Sequence, residues 1–302
     1  MAISRAQLAK ELEPGLNALF GLEFGRYENE HSEIFEEESS DRAFEEEVML
    51  GGFATAPVKS EGGAVSFDDA QETYTARYTH ETIALAFSIT EEAIEDNLYD
   101  RLASRYTKAL ARSMATTKQI KAASILNNAF LTGANVIGDG AALCSASHPS
   151  LSGTQTNLLA VAADLNETSL EQMLIDIAGF TDERGLKIAV RGTKLIIPKE
   201  LQFIAERVMN SALRSGTSDN DNNAMKNMGM LPEGAVVNHY LTDTDAYFIK
   251  TDAPNGFKYF NRAAIKTAME GDFDTGNMRF KARERYSFGV SDWRCVFGTP
   301  GA

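Results

Sequence analysis

A run of forty residues without Pro or Gly, from Glu91 to Phe130, sets what this chain can fold into. It reads EEAIEDNLYDRLASRYTKALARSMATTKQIKAASILNNAF. Thr90 precedes it as an N-cap, because its hydroxyl can accept from an unpaired first-turn N–H. Acidic residues crowd the start (Glu91, Glu92, Glu95, Asp96, Asp100) and basic ones follow (Arg101, Arg105, Lys108, Arg112, Lys118, Lys121), the polarity that a helix dipole favours. Gly133 lies just beyond, where a residue tolerant of positive φ can end a helix. Ile94, Leu98 and Leu102 recur at four-residue spacing, and Tyr99, Leu102, Tyr106 and Leu110 at three and four, which makes one apolar stripe. Ala103, Thr107, Ala111 and Ala115 form a second row of small side chains, where another backbone can approach closely. Forty helical residues span roughly 60 Å. That is longer than a small domain is wide, so the stretch predicts a spine. A kink near Thr116-Thr117 would divide it into two helices and keep the elongated shape.

The 302 residues, 43% of them hydrophobic, suffice for one large or two modest domains. A net charge of −14 and the lack of any Lys/Arg run exclude tight gripping of a phosphate backbone. Cys144 and Cys295 are the only cysteines, a usage that fits a reducing compartment. No stretch reaches the ~20 apolar residues of a membrane span, and the N-terminal MAISRAQLAKELEPGLNALF lacks a signal-peptide core. The expectation is a protein made in the cytoplasm, with no membrane partner.

Ahead of the spine, residues 1–43 read as an arm. A short helix from Ile3 to Phe20, interrupted at Pro14-Gly15, leads into an acidic stretch. The aromatics scattered there (Phe20, Phe24, Tyr27, Phe35, Phe44) point to a segment that docks on something. Residues 44–89 read as a long β-hairpin with its tip at Pro57 and Gly62-Gly63, and TYTARYTHETIALAFSIT as the return strand. A hairpin of this length has too little core to stand alone. After the spine comes a loop-rich passage over 131–157. A helix from Ser169 to Phe180 follows, with Thr168 or Ser169 near its N-cap, then a strand at Thr193–Ile197. Pro198 opens a further helix that carries Leu201, Ile204, Ala205, Val208 and Met209 on one face. A polar loop, RSGTSDNDNNAMKN, precedes strands at Ala235–Asn238 and Ala246–Ile249, a turn at Asp272–Asn277 and a β-rich end.

No catalytic constellation emerges. GGFATAPVKS is not a phosphate loop, since no Gly precedes Lys59 and Pro57 removes an N–H. Cys144 and His148 stand four apart, but a metal site needs three or four ligands and a thiol nucleophile needs an oriented base. The simplest reading of His148, before Pro149, is a loop residue satisfying backbone groups. His31, His80 and His239 are isolated, and GxGxxG, HExxH and GxSxG are all missing. Catalytic residues, cofactor-binding residues and metal ligands are therefore all expected to be absent, and so is enzymatic activity.

The order of parts is acidic arm, long hairpin, very long helix, α/β region and β-rich tail. It resembles the major capsid protein of tailed bacteriophages, the Hong Kong 97 fold. ALCSASHPSLSGTQTN, GLKIAVRGTKLIIPKELQFIAERVMNS, SGTSDNDNNAMK, YLTDTDAYFI and RERYSFGVSDWRCVFG look like the Mu-like major head subunit branch. The resemblance implies an α+β fold with an N-terminal arm (1–43), an extended loop (44–82), a peripheral domain (83–154) holding the spine helix 91–130, an axial α/β domain (155–262) and a β-rich return (263–302). It implies self-assembly of pentamers and hexamers into an icosahedral shell that encloses double-stranded DNA and contacts it weakly, without sequence specificity. A virion location, a portal and cement proteins follow from it. Many relatives carry an N-terminal scaffolding segment ahead of the hairpin; here the hairpin begins within the first fifty residues, so a separate scaffolding protein is expected. Assembly residues are then Gly51, Gly52, Phe53, Pro57, Lys59, Gly62, Gly63 and Phe67 in the extended loop, with Leu98, Leu102, Tyr106 and Ala111 packing the spine. Lys59, the only Lys of the loop, occupies the region from which the type member cross-links its subunits. Two other readings stand beside this one: an encapsulin-like nanocompartment shell, and an enzyme built on the Cys144/His148 turn.

Overall fold

The computed structural model describes residues 5–90, 92–93, 99–133, 137–213, 222–272 and 274–302, the side chains of 5–12 and 99–102 excepted. Among the described residues, two four-stranded sheets organise the chain. The first has the order β1 (Glu36–Ser39), β10 (Phe257–Gly271), β11 (Met278–Val290) and β4 (Glu81–Ile89). β1 runs parallel to β10 and the other pairs are antiparallel. Side chains alternate across a strand, so Phe280, Ala282 and Glu284 of β11 face one side while Arg279, Lys281 and Arg283 face the other.

Two helices cover the inner side: α1 (Arg5–Phe24) and α2 (Tyr99–Asn127). Leu16 and Phe20 of α1 meet Ala103, Leu110, Ala111 and Met114 of α2 over Phe280 and Ala282. The small-residue row supplies the close approach: Ala103, Thr107, Ala111 and Ala115 are all buried. The helix α2 is unbroken at Thr116-Thr117, because Thr117 Oγ1 donates to Ser113 O at 2.8 Å and so stays satisfied within the helix. At about 1.5 Å per residue it spans about 43 Å. Thr90 caps the preceding turn, its Oγ1 accepting from Ala93 N at 3.4 Å.

A short antiparallel pair, β5 (His148–Ser150) and β6 (Gly153–Gln155), precedes the second sheet, which has the order β12 (Val296–Thr299), β9 (Tyr247–Thr251), β7 (Gly192–Ile197) and β8 (Ala235–Val237). Leu170, Met173 and Ile177 of α3 (Glu167–Ala178) share a core with Leu195, Ile196, Phe248, Ile249 and Phe297 from the sheet. α4 (Gln202–Asn210) buries Ala205, with Ile204, Val208 and Met209 packed beside it. A short α5 (Ala224–Met228) lies within the stretch expected to be polar loop, capped by Asn223.

Three expectations need correction. α1 runs through Pro14, because Leu16 and Phe20 beyond it are buried and hold the second half in place. The N-cap of α3 is Asn166, and Ser169 is the residue that completes the capping box. The return strand of the hairpin is two strands: β3 (Gln71–Thr79) pairs with β2 (Phe44–Gly51), while β4 joins the first sheet. The chain changes partner at His80. There the buried ring lies with Nε2 2.9 Å from Ser40 Oγ and Nδ1 2.9 Å from Ser287 Oγ.

Candidate assembly surfaces

The hairpin projects from a tightly built base. Tyr78 on β3 packs edge-on against Phe260 and hydrogen-bonds Ser291, which also bonds Glu47 of β2. Lys258 on β10 ties Glu38 of β1, at 3.0 Å, to Glu47 of β2. Burial alone would lower the Lys258 pKa, but its bonds to Glu47 and Glu38 outweigh that and hold it above its ordinary value. Gly138, after the spine, closes on the same base. A Cβ there would lie 2.2 Å from Thr75 O, so no other residue allows the loop to touch β3 so closely. Gly51 is buried at the end of β2, where a Cβ would come within 3.0 Å of the Leu151 side chain.

Beyond Gly51 the chain leaves the body. Ala54 N donates to Asp68 Oδ2 at 2.7 Å, which closes the neck of the loop. Arg184 Nη2 donates to Asp69 O at 2.6 Å and fixes that neck to the body. Residues 52–70 then form no strand. Gly63 N donates to Ser60 O at 3.1 Å across a turn whose third residue, Gly62, has φ of 75°, which accounts for the glycine there. Val58 is 100% exposed, Phe67 97%, Val65 64% and Phe53 59%. Pro57 and Lys59 are exposed beside them. Four large apolar side chains are thus held out in solvent on a single loop.

On the spine, Ala111 is fully buried, whereas Tyr106 is half exposed with its ring 5.7 Å from that of Phe87. Leu98 lies outside the described residues, as does the side chain of Leu102.

The acidic arm folds onto its own body. Glu30 takes bonds from His239 N, at 2.9 Å, and lies 2.8 Å from its Nδ1. Lys194, buried on β7, donates to Glu33 at 2.8 Å and to Glu233 at 3.1 Å. No sequence spacing reveals these clamps, because each joins residues far apart in the chain.

The Cys144/His148 turn is structural. His148 is fully buried and stacked on Trp293, centroids 4.4 Å apart. Its Nδ1 lies 2.7 Å from Asp139 Oδ2 and its Nε2 3.1 Å from Asn157 Oδ1, so its ring serves buried side chains and not the backbone groups expected. Asn157 in turn donates to Leu143 O, Trp293 O and Val296 O, joining the passage after the spine to the C-terminal strand. Cys144 is buried and its thiol is pushed well above the ordinary range by desolvation, so it presents no thiolate to a substrate. Among the described residues, no group of His, Cys, Asp and Glu is placed to hold a metal ion, and no helix is long and apolar enough to cross a membrane.

The chain is similar to known proteins. The model of the family described as phage capsid protein matches residues 73–298. No curated protein matches in sequence. Among solved structures, the virus-like particle from Pyrococcus furiosus superposes with a TM-score of 0.54 at 10% identity, covering 94% of this chain and 97% of that one. The capsid of Myoviridae phage XM1 gives 0.54 at 11% identity over 89% of each chain. Mycobacterium phage Patience gives 0.55 at 10% identity, over 94% of this chain and 88% of that one. At these identities the likeness concerns the fold, which is the α+β Hong Kong 97-type capsid fold. The family match spans three quarters of the sequence, and on that ground the chain belongs to the phage capsid proteins, structural components of the virion and not enzymes.

Proposed function

We propose that this chain is the major head subunit of a tailed phage of the Mu-like branch. Copies assemble as pentamers and hexamers into an icosahedral shell around double-stranded DNA. One observation carries the reading: a loop that holds Val58 and Phe67 almost wholly in solvent while its base is locked by buried polar contacts. Such a loop is built to lie on another copy of the chain. In this reading 1–43 is the arm, 44–82 the extended loop, 83–154 the peripheral domain and 155–262 the axial domain, completed by 263–302. Gly51, Gly52, Phe53, Pro57, Lys59, Gly62, Gly63 and Phe67 act in assembly by shaping or lining the loop. A scaffolding protein, a portal and cement proteins are the further partners. The acidic balance of the chain, −14, suits a wall that does not grip its contents.

Negative-stain microscopy of the purified protein tests this directly. Closed particles containing nuclease-protected DNA after infection support it. Particles filled with protein cargo would indicate the nanocompartment reading, and a small oligomer without particles would overturn both. Deleting Gly51–Phe67 is expected to leave a folded, helical protein that forms no shells.

A further inference from the structure

The β2–β3 ribbon is attached to the first sheet at two places. The chain enters it through residues 40–43, between β1 and β2, and leaves it through His80 alone, between β3 and β4. One series of hydrogen bonds crosses both attachments. Ser40 Oγ donates to Glu45 Oε1 at 2.7 Å and lies 2.9 Å from His80 Nε2. On the other side of the ring, His80 Nδ1 lies 2.9 Å from Ser287 Oγ on β11. Ser40, His80 and Ser287 are all buried.

Where each proton sits follows from what each atom can accept. The Glu45 carboxylate only accepts, so the single hydroxyl proton of Ser40 is committed to it. Ser40 Oγ then accepts from His80 Nε2–H, and from Arg42 N at 3.3 Å, which uses both of its lone pairs. In the neutral ring Nδ1 is bare and takes the Ser287 hydroxyl proton. The arrangement is complete only while the ring is neutral. A proton added at Nδ1 would meet the Ser287 proton head-on, and among the described residues the Ser287 hydroxyl has no second partner to turn to. The added charge would also face Arg285 of β11 and Arg262 of β10, with Glu45 of β2 opposing them. Burial above all, and then these cations, hold the His80 pKa below its ordinary value.

We infer that His80 is a proton-sensitive pivot of the hairpin. Neutral, it locks the two attachments of the ribbon to each other and to β11. Protonated, it leaves its buried seat and frees residues 40–45 and 79–82. The other ties of the ribbon, Tyr78 to Ser291 and Glu47 to Lys258, contain no histidine and remain as the fulcrum. The ribbon therefore loosens at its elbow and does not detach. Because the folded-state pKa is lowered, the lock is present above the unfolded value near 6.5 and is lost as pH falls through the lowered one. The pivot is a property of the single chain and does not depend on the shell reading.

Amide hydrogen exchange of the full-length protein, read by mass spectrometry and corrected for the intrinsic rate at each pH, tests the pivot. Between pH 7 and 5, peptides over 40–45 and 79–82 are expected to lose protection by about tenfold or more, while β7 and β9 of the second sheet keep theirs. His80→Gln can donate to Ser40 and accept from Ser287 but cannot take up a proton, so it should stay protected at both ends of the range. Arg285→Gln removes a cation that faces the ring, and Arg285 Nε is buried without a partner to lose. In that variant the loss should begin at a higher pH. Unchanged protection in the parent, the same loss in a folded His80→Gln protein, or an Arg285→Gln midpoint at the parent's pH would each overturn the inference. If His80→Gln does not fold, the Arg285→Gln midpoint decides alone.

Discussion

Lys118 Nζ on the spine helix stands 2.7 Å from Glu284 Oε2 on β11, and Glu284 is almost wholly shielded from water. Lys118 also lies over the rings of Tyr286, at 5.2 Å, and Phe24, at 5.4 Å. Arm, spine and sheet therefore meet on one largely shielded cation. Desolvation raises the pKa of Glu284 even though Lys118 opposes it.

Removing one member of such a pair leaves a buried charge without a partner. Lys118→Met is expected to cost about 3–5 kcal/mol in urea unfolding, while Lys118→Met/Glu284→Leu recovers most of it. With the cation gone, the folded-state pKa of Glu284 rises further above its unfolded value. The single variant should then be steadier at low pH and lose stability as pH rises through that raised pKa. A single variant as stable as the parent at neutral pH would show that the pair contributes nothing.

His31 responds in the opposite direction. Burial lowers its pKa, and Lys118 lowers it further. The folded state binds the proton less readily than the unfolded chain, whose His titrates near 6.5. Stability is therefore present above that value and is lost as pH falls through the lowered one. His31 packs edge-on against Tyr259 and Phe288, at 5.4 and 5.6 Å, and its fixed bond to Gln119 uses the backbone N–H. His31→Phe keeps both features. Melting curves between pH 7 and 5 should fall less steeply for the variant than for the parent. His80, also lowered chiefly by burial, keeps some slope in both. Equal slopes would mean that His31 does not titrate in this range.

These contacts mark where reading the sequence runs out. The spine was legible because Thr90, the charge gradient and the row Ala103, Thr107, Ala111 and Ala115 all depend on local spacing. β10 and β11 were legible as a β-rich end for the same reason. β1 was not, since Glu36–Ser39 has poor strand propensity and is a strand only because it pairs with β10, where Lys258 neutralises Glu38. The break at His80 was hidden because β-branched residues continue on both sides of it. What changes there is the partner strand, and no local pattern encodes that. The hairpin tip could be read from Pro57 and Gly62-Gly63, but the carboxylates and cations that anchor its base come from residues some two hundred positions apart.

Ala111 tests the packing of spine on sheet. It is fully buried among Leu16, Phe20 and Phe280. Three added carbon atoms have no space to occupy, so Ala111→Leu is expected to cost roughly 1–3 kcal/mol and to lower the melting temperature. Ala111→Gly should also destabilise, by about 1 kcal/mol from helix propensity alone. A variant with Leu at this position and unchanged melting would place the close contact elsewhere on the helix.

Lys59 tests whether the shell is covalent. In the type member of the fold a Lys of the extended loop cross-links subunits, and Lys59, the only Lys of this loop, stands one residue before the Ser60–Gly63 turn. Amide formation needs a neutral amine, and only burial or neighbouring positive charge brings a Lys from near 10.4 toward neutrality. Lys59 is exposed, as are Val58 and Ser60 on either side, so its own loop supplies no dry pocket for that chemistry. The subunits should therefore be held without covalent bonds. Mature particles boiled in detergent are expected to give one band near 33.0 kDa on a denaturing gel. Lys59→Ala should leave that single band unchanged. Ladders of covalent pentamers and hexamers that vanish in Lys59→Ala would reverse the conclusion, and would mean that a neighbouring copy supplies the dry, carboxylate-bearing pocket that this loop lacks on its own.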